Sequence, residues 1–384
     1  MPSLRIRGAT LAGIACAARL AKLGHIVELD TGGDDLGAHW SPAQDRLAPV
    51  LTLPATWRDL FKKSGRTLDA ELARSSLELI EAPPAIHRFV DGAELPLPTE
   101  RGRQFAILTA RYGQPVAERW RDTLDALDEV WLAARRFGVE SPASPTGGAN
   151  LRALWLDRTL ADVAERVGHP HLAEIVLSLA PLAGTRSRRA PGLLASRLVV
   201  ERTFGRWRLV DADGAALPAT RLLGLLEERL ATRRVRVVEG LGAEEHSVDC
   251  LPRAPLLTRA ALAPATSHSW EDRAGEEPFS EVIDHTGRWP VVTWRVPTAE
   301  GVSVLTRDYN HAHRAVSWGL EPRSARSVLR RVPIDRAGAP SRASACSPAG
   351  PEPWAELASA ALAVYEVHER LTGEDCRPTN RSRR

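Results

Sequence analysis

The chain has 384 residues, 43% hydrophobic and 26% charged, a globular composition that excludes a disordered or fibrous protein. Its formal net charge of +3 makes no case for a nucleic-acid partner. Cys16, Cys250, Cys346 and Cys376 are scattered without C-x-x-C spacing, which excludes a zinc ribbon or a disulfide framework and suits a reducing cytoplasm. Lysine occurs only as Lys22, Lys62 and Lys63 while Arg and Ala abound, pointing to a GC-rich bacterial genome. Arg19 and Lys22 interrupt the early apolar run, and no stretch approaches about 20 apolar residues. Neither a signal peptide nor a spanning helix is expected, and the expected location is cytoplasmic.

In chain order, residues 4–8 predict a strand, 11–24 a helix ended by Gly24, and 25–30 a second strand. "LPATWRDLFKKSG" (53–65) predicts a helix closed by Gly65, and "HRFVDGAELPLP" (87–98) a hairpin around Asp91-Gly92. Residues 99–200 read as mostly helical. There Val116, Trp120, Leu124, Leu127, Trp131 and Leu132 fall near one face, a core stripe rather than a ligand cage. "SPASPTGGAN" (141–150) breaks the helical run. Residues 221–240 predict an amphipathic helix leading into the strand 235–238, and 287–309 a hairpin on either side of "PTAEG". "PWAELASAALAVYEVHERLTG" predicts a long last helix with Trp354, Leu357, Ala358, Ala361, Leu362 and Tyr365 along one stripe and Gly373 at its end.

The opening strand–helix–strand has the form of a dinucleotide-binding βαβ unit with the turn Gly8-Ala9-Thr10-Leu11-Ala12-Gly13. With "GGDDLGAHW" after the second strand, "VLTLPATWRDLFKKSGRTLD" (50–69), the middle segment 181–238 and the closing "ACSPAGPEPW" before the last helix, the order of motifs resembles FAD-dependent phytoene-desaturase-like oxidoreductases. These are a branch of the amine-oxidase-type flavoprotein superfamily. The resemblance covers most of the chain. It implies an α/β fold: a discontinuous Rossmann-like FAD-binding domain from 1–65, 200–256 and 336–384, with a substrate domain from the mostly helical 66–199 and the strands of 257–335. It implies FAD held by Gly8, Ala9, Thr10, Leu11, Ala12 and Gly13, by Asp30 or Thr31 at the end of the second strand, by Gly37, by Val238, and by the helix start at Pro353-Trp354, whose dipole would face the flavin ring.

The motif is altered at several points. Thr10 replaces the glycine that lets backbone approach the pyrophosphate, the ribose-binding acid falls on Thr31 with Asp30 one position early, and Gly37-Ala38 stands for a Gly-Gly pair. Losing the ribose carboxylate removes about 1.5–3 kcal/mol. A threonine in a left-handed turn costs about 1–2 kcal/mol more. Together these weaken flavin binding by roughly two to three and a half decades.

No lysine follows Lys63, so the lysine that holds a water near the flavin in many amine-oxidising members has no counterpart. His311 and His313 share one face of a predicted strand but lack further metal ligands, and "HPH" (169–171) reads as a polar turn. No H-E-x-x-H, P-loop or G-x-S-x-G occurs. No catalytic residue and no metal site is assigned. The basic tail "RPTNRSRR" reads as a disordered end.

Two functions are expected to compete. One is an FAD-dependent oxidoreductase with a weakened cofactor site, acting on a fairly apolar small molecule. The other is a flavin-free pseudoenzyme serving as a binding or partner subunit, or a pocket repurposed for non-redox chemistry. Either could form an oligomer.

Overall fold

The computed structural model describes residues 3–41, 44, 46–141, 147–240, 246–272, 278–298, 301–334 and 340–378. The predicted break at 141–150, the "PTAEG" turn, the boundary near 336 and the last six residues of the basic tail fall wholly or partly outside them.

A five-stranded parallel sheet carries the opening unit. Its order is Ser341–Arg342, Val248–Asp249, Leu4–Arg7, Val27–Asp30 and Arg236–Val238. Three separate stretches of chain therefore build one sheet, so this layer is discontinuous. The helix Leu11–Lys22 follows the first strand and is buried from Leu11 to Leu20. Its Ala, Gly and Cys side chains let two neighbours approach closely: the sheet beneath and the last helix Pro353–Thr372 alongside. Cys16 Sγ lies 3.6 Å from the Ala360 carbonyl, which fixes that contact.

A second, six-stranded sheet runs in the order Leu262–Glu271, Gly301–Arg314, Val291–Thr298, Ser280–Asp284, Ala85–Arg88 and Glu94–Leu97. All its pairings are antiparallel except Ser280–Asp284 with Ala85–Arg88. Alternation such as Val292, Trp294 and Val296 turns one face inward. The helices Arg101–Tyr112, Gln114–Arg136, Leu160–Val167, Pro170–Leu182 and Ser196–Phe204 share a separate apolar core. A small four-stranded sheet of Val50–Thr52, Arg206–Asp211 and Leu77–Glu81, with Ala216–Leu217 also paired to Arg206–Asp211, joins the layers.

The fold is thus α/β, a Rossmann-like unit beside a mixed helical and antiparallel substrate-domain-like part. The predicted helices at 11–24, 53–65, 221–240 and the C-terminus appear as Leu11–Lys22, Ala55–Ser64, Arg221–Thr232 and Pro353–Thr372, the last ended by left-handed Gly373. Two local expectations are corrected. Leu132 is 47% exposed, because it lies about 100° around the helix from buried Trp131. His169-Pro170-His171 is a helix start, not a loop turn: His169 is the cap residue and Pro170 occupies the first turn, where its missing N–H costs nothing.

Candidate functional site

The glycine turn is closed by the protein's own groups. Gly8 has φ +108, which requires glycine, and a Cβ on Gly13 would sit 2.0 Å from the Gly8 carbonyl oxygen. Both glycines are therefore demanded by the strand–helix turn itself, with or without a ligand. Thr10 does not occupy a left-handed turn: its φ is −63 and ψ 165, the extended geometry of a helix cap. The strain expected from a threonine there is absent. Its hydroxyl instead accepts a hydrogen bond from Gly13 N–H at 3.2 Å and donates to the Cys250 carbonyl at 3.2 Å.

A second internal group faces the next donor. The Glu356 carboxylate, which accepts from Trp40 Nε1 at 3.0 Å, also lies against Ala12 N–H. A helix N-terminus attracts an anion, and here the last helix supplies one from inside the fold. Burial pushes the Glu356 carboxyl up to about 7, while Trp40 and Ala12 pull it back. From the other side, Gly37 N–H donates to the Ala9 carbonyl at 2.8 Å, and a Cβ on Gly37 would approach Leu223 at 3.0 Å. Every residue from Gly8 to Gly13 is buried.

The end of the second strand is equally engaged. Asp30 is buried, and its Oδ1 accepts from Gly32 N–H and Gly240 N–H, each at 3.0 Å. His246 Nε2 stands 3.6 Å from Oδ2. Thr31 donates its amide to the Val238 carbonyl at 3.0 Å, so Val238 serves as a main-chain partner along the sheet. The structure thus does bring Gly8–Gly13, Asp30, Thr31, Gly37 and Val238 together. Trp354 lies elsewhere, on a cavity wall against Trp131.

These residues do not fit a flavin dinucleotide. The diphosphate needs helix-start N–H groups, and that of Gly13 is already bonded to Thr10 while that of Ala12 faces the Glu356 carboxylate. The ribose needs a carboxylate, and the one at hand holds two backbone amides.

Next to the turn lies a packed aromatic block. Trp40 is buried, contacts His39 at 4.1 Å and meets Trp318 edge-on at 5.4 Å between ring centroids. Burial, aided by the Arg46 and Arg307 guanidiniums, pushes His39 down to about 3, so it is neutral.

Beyond that block opens a cavity of about 140 Å³ between the six-stranded sheet and the helices. Leu47, Leu97, Ile175, Leu179, Val292 and Trp294 give it apolar walls. Three arginines and three glutamates also face it. Arg206 pairs with Glu281, both buried, and donates to the Pro83 carbonyl at 3.1 Å. Arg197 bonds Glu352 at 2.7 Å and Glu201 at 3.3 Å. Burial works against its charge, but those two carboxylates outweigh it and raise its pKa. Arg307 lies under the faces of Trp318 at 4.9 Å, Trp294 at 5.2 Å and Trp40 at 6.0 Å. His87, on the cavity wall, bonds His285 at 2.9 Å; burial first, then His285 and Arg206, hold it well below the usual histidine range. A second chamber of about 150 Å³ shares Arg197, Glu352 and Trp354 with the first.

Sequence reasoning missed Glu356, Trp40, Arg197, Arg206 and Arg307. Glu356 had a readable signal, a carboxylate in the first turn of an otherwise apolar helix. The arginines had none, because arginine abounds in this chain. His311, exposed where the register of the strand Gly301–Arg314 shifts, bonds Asp308 at 2.6 Å. No group of three or more His, Cys, Asp and Glu able to hold a metal occurs among the described residues. Among them, too, no helix is long and apolar enough to cross a membrane.

The fold has solved counterparts. Cyclohexylamine oxidase from Brevibacterium oxydans matches with a TM-score of 0.57 at 13% identity, over 96% of this chain and 100% of that one. A putrescine oxidase variant, from a structure-based redesign of its cofactor binding, matches with a TM-score of 0.54 at 11% identity, over 96% and 100%. The chain thus shares the architecture of the amine oxidases. No protein-family model and no curated protein sequence matches it.

Proposed function

We propose that this chain is a flavin-free binding protein built on the amine-oxidase fold, with the cofactor site closed and the substrate-side cavity kept. The observation that carries the reading is the internal closure of the start of the helix Leu11–Lys22. Thr10 bonds one donor that a diphosphate would need, and Glu356 sets a buried carboxylate against another, where it would repel the diphosphate. An empty but competent site would leave those N–H groups facing an open groove, because an unpaired buried donor costs about 1–3 kcal/mol.

The cavity's dimensions bear on the ligand. A pocket of about 140 Å³ compares with the roughly 150 Å³ engineered cavity that holds benzene, so a long polyene of the phytoene-desaturase kind is too large. A fairly apolar small molecule suits its walls.

A second reading, an FAD-dependent oxidoreductase, draws support from the full-length likeness to two oxidases. Equilibrium dialysis of freshly purified protein against FAD separates the two. The flavin-free reading expects a colourless protein that retains no FAD. A stoichiometric yellow complex would sink it in favour of the oxidoreductase.

A further inference from the structure

The cavity's charged groups are unevenly matched. Its three glutamates are all engaged by two arginines: Glu281 by Arg206, and Glu201 and Glu352 by Arg197. Arg307 has no carboxylate partner among the described residues. Its guanidinium donates to the Arg46 carbonyl, neighbours the Tyr309 hydroxyl and meets the Glu352 carboxylate only through longer-range attraction, while its Nε–H is buried with no hydrogen-bond partner among the described residues. Arg19, Arg186, Arg208 and Arg342 share an unbonded Nε–H; what separates Arg307 from Arg197 and Arg206 in this cavity is the lack of a directly bonded carboxylate, which a buried charge ordinarily has. The indole faces of Trp294 and Trp318 stabilise the cation but accept no N–H bond in the guanidinium plane. Neutral His39 beside it adds no negative charge.

We propose that Arg307 is the anion-recognition residue of the cavity and that the ligand is a small carboxylate with a single apolar ring. This rests on the reading of the chain as a flavin-free binding protein. A guanidinium fork matches the planar geometry of a carboxylate and prefers it to a compact point anion. The cavity's volume admits a benzene-sized body, and Leu47, Ile175, Leu179 and Val292 offer the walls to cover it. Trp294 and Trp318 then lie within reach of both parts of the ligand, the ring against an indole and the carboxylate on the arginine between them.

Benzoate, benzamide and toluene serve as probes, titrated calorimetrically and by the fluorescence of the cavity tryptophans. Benzoate should bind about tenfold or more tightly than benzamide, because a charge-assisted bond replaces a neutral one. Arg307→Gln should erase that preference while toluene binding stays within about twofold of the natural protein, which also shows that the cavity still folds. Arg307→Lys, which keeps the charge but not the fork, should fall between them. Equal affinity for benzoate and benzamide, or a preference that survives Arg307→Gln, overturns the proposal. A colourless protein that retains no FAD and binds none of the probes overturns the carboxylate site alone and leaves the flavin-free reading standing. Retention of FAD overturns that reading, and this proposal with it.

Discussion

The glycine turn and the cavity beside it differ in how their polar groups are satisfied. At Gly8–Gly13 the named donors and acceptors find partners inside the chain: Thr10, Glu356, Cys250 and Gly37. In the cavity, Arg197 and Arg206 are bonded by carboxylates, but among the described residues none bonds Arg307. On the proposed reading, one region is sealed as core and the other keeps a buried charge that an added ligand would complete. A glycine motif can be demanded by its backbone whether or not a ligand is held. Gly8 and Gly13 illustrate this, since the turn needs them regardless.

The largest expected effect is on the cavity side. Glu281→Gln removes the charge facing buried Arg206 and should cost about 3–5 kcal/mol of stability in urea unfolding, because a desolvated guanidinium is left without its partner. An effect below 1 kcal/mol would mean that Glu201, 3.9 Å from Arg206, takes over. Gly13→Ala should follow at about 3 kcal/mol, as its Cβ would collide with the Gly8 carbonyl. That cost should appear in protein containing no flavin; a variant of unchanged stability would argue that the glycine serves a ligand instead. Thr10→Gly restores the dinucleotide motif on paper. It should lower stability by about 1 kcal/mol through loss of the cap and of the bond to Cys250, and gain no flavin in dialysis.

Effects of pH build up gradually over several units, and they carry opposite signs. Burial first holds His39 at about 3 and His285 at about 4, both below the ordinary 6.5. The unfolded chain therefore takes up protons that the fold refuses. Stability is full above pH 6.5 and falls as pH drops toward those values, by up to about 1.4 kcal/mol per pH unit for each histidine. Glu356 runs the other way. Its carboxyl is raised from 4.5 to about 7, so its contribution is full below pH 4.5 and is lost as pH rises through 7. Glu356→Gln should remove only this second trend. Unfolding curves of both proteins at pH 5 and pH 7.5 check it, and parallel pH profiles would place the Glu356 carboxyl near its ordinary value.

Much of the fold was readable because its signals are local. The strand–turn–helix at the front, the Asp91-Gly92 hairpin and the last helix each announce themselves by periodicity and end residues. The state of the site was not readable in the same way. Thr10 looked like a strained substitute only while its turn was assumed to be left-handed; as a cap it is at ease. Its acceptor lies far along the chain, Cys250 at a separation of 240 residues, and the Glu356 carboxylate beside the same turn comes from the last helix. Arg307 was hidden by composition, one arginine among many. Its lack of a carboxylate emerges only when two sheets and a helix layer surround it.

On the proposed reading, Thr10 and Glu356 close the cofactor site. The visible absorption spectrum of freshly purified protein, repeated after dialysis against excess FAD, tests that closure. A closed site gives no flavin band before dialysis and none retained after it. A flavin band at one equivalent per chain, in either spectrum, would contradict it.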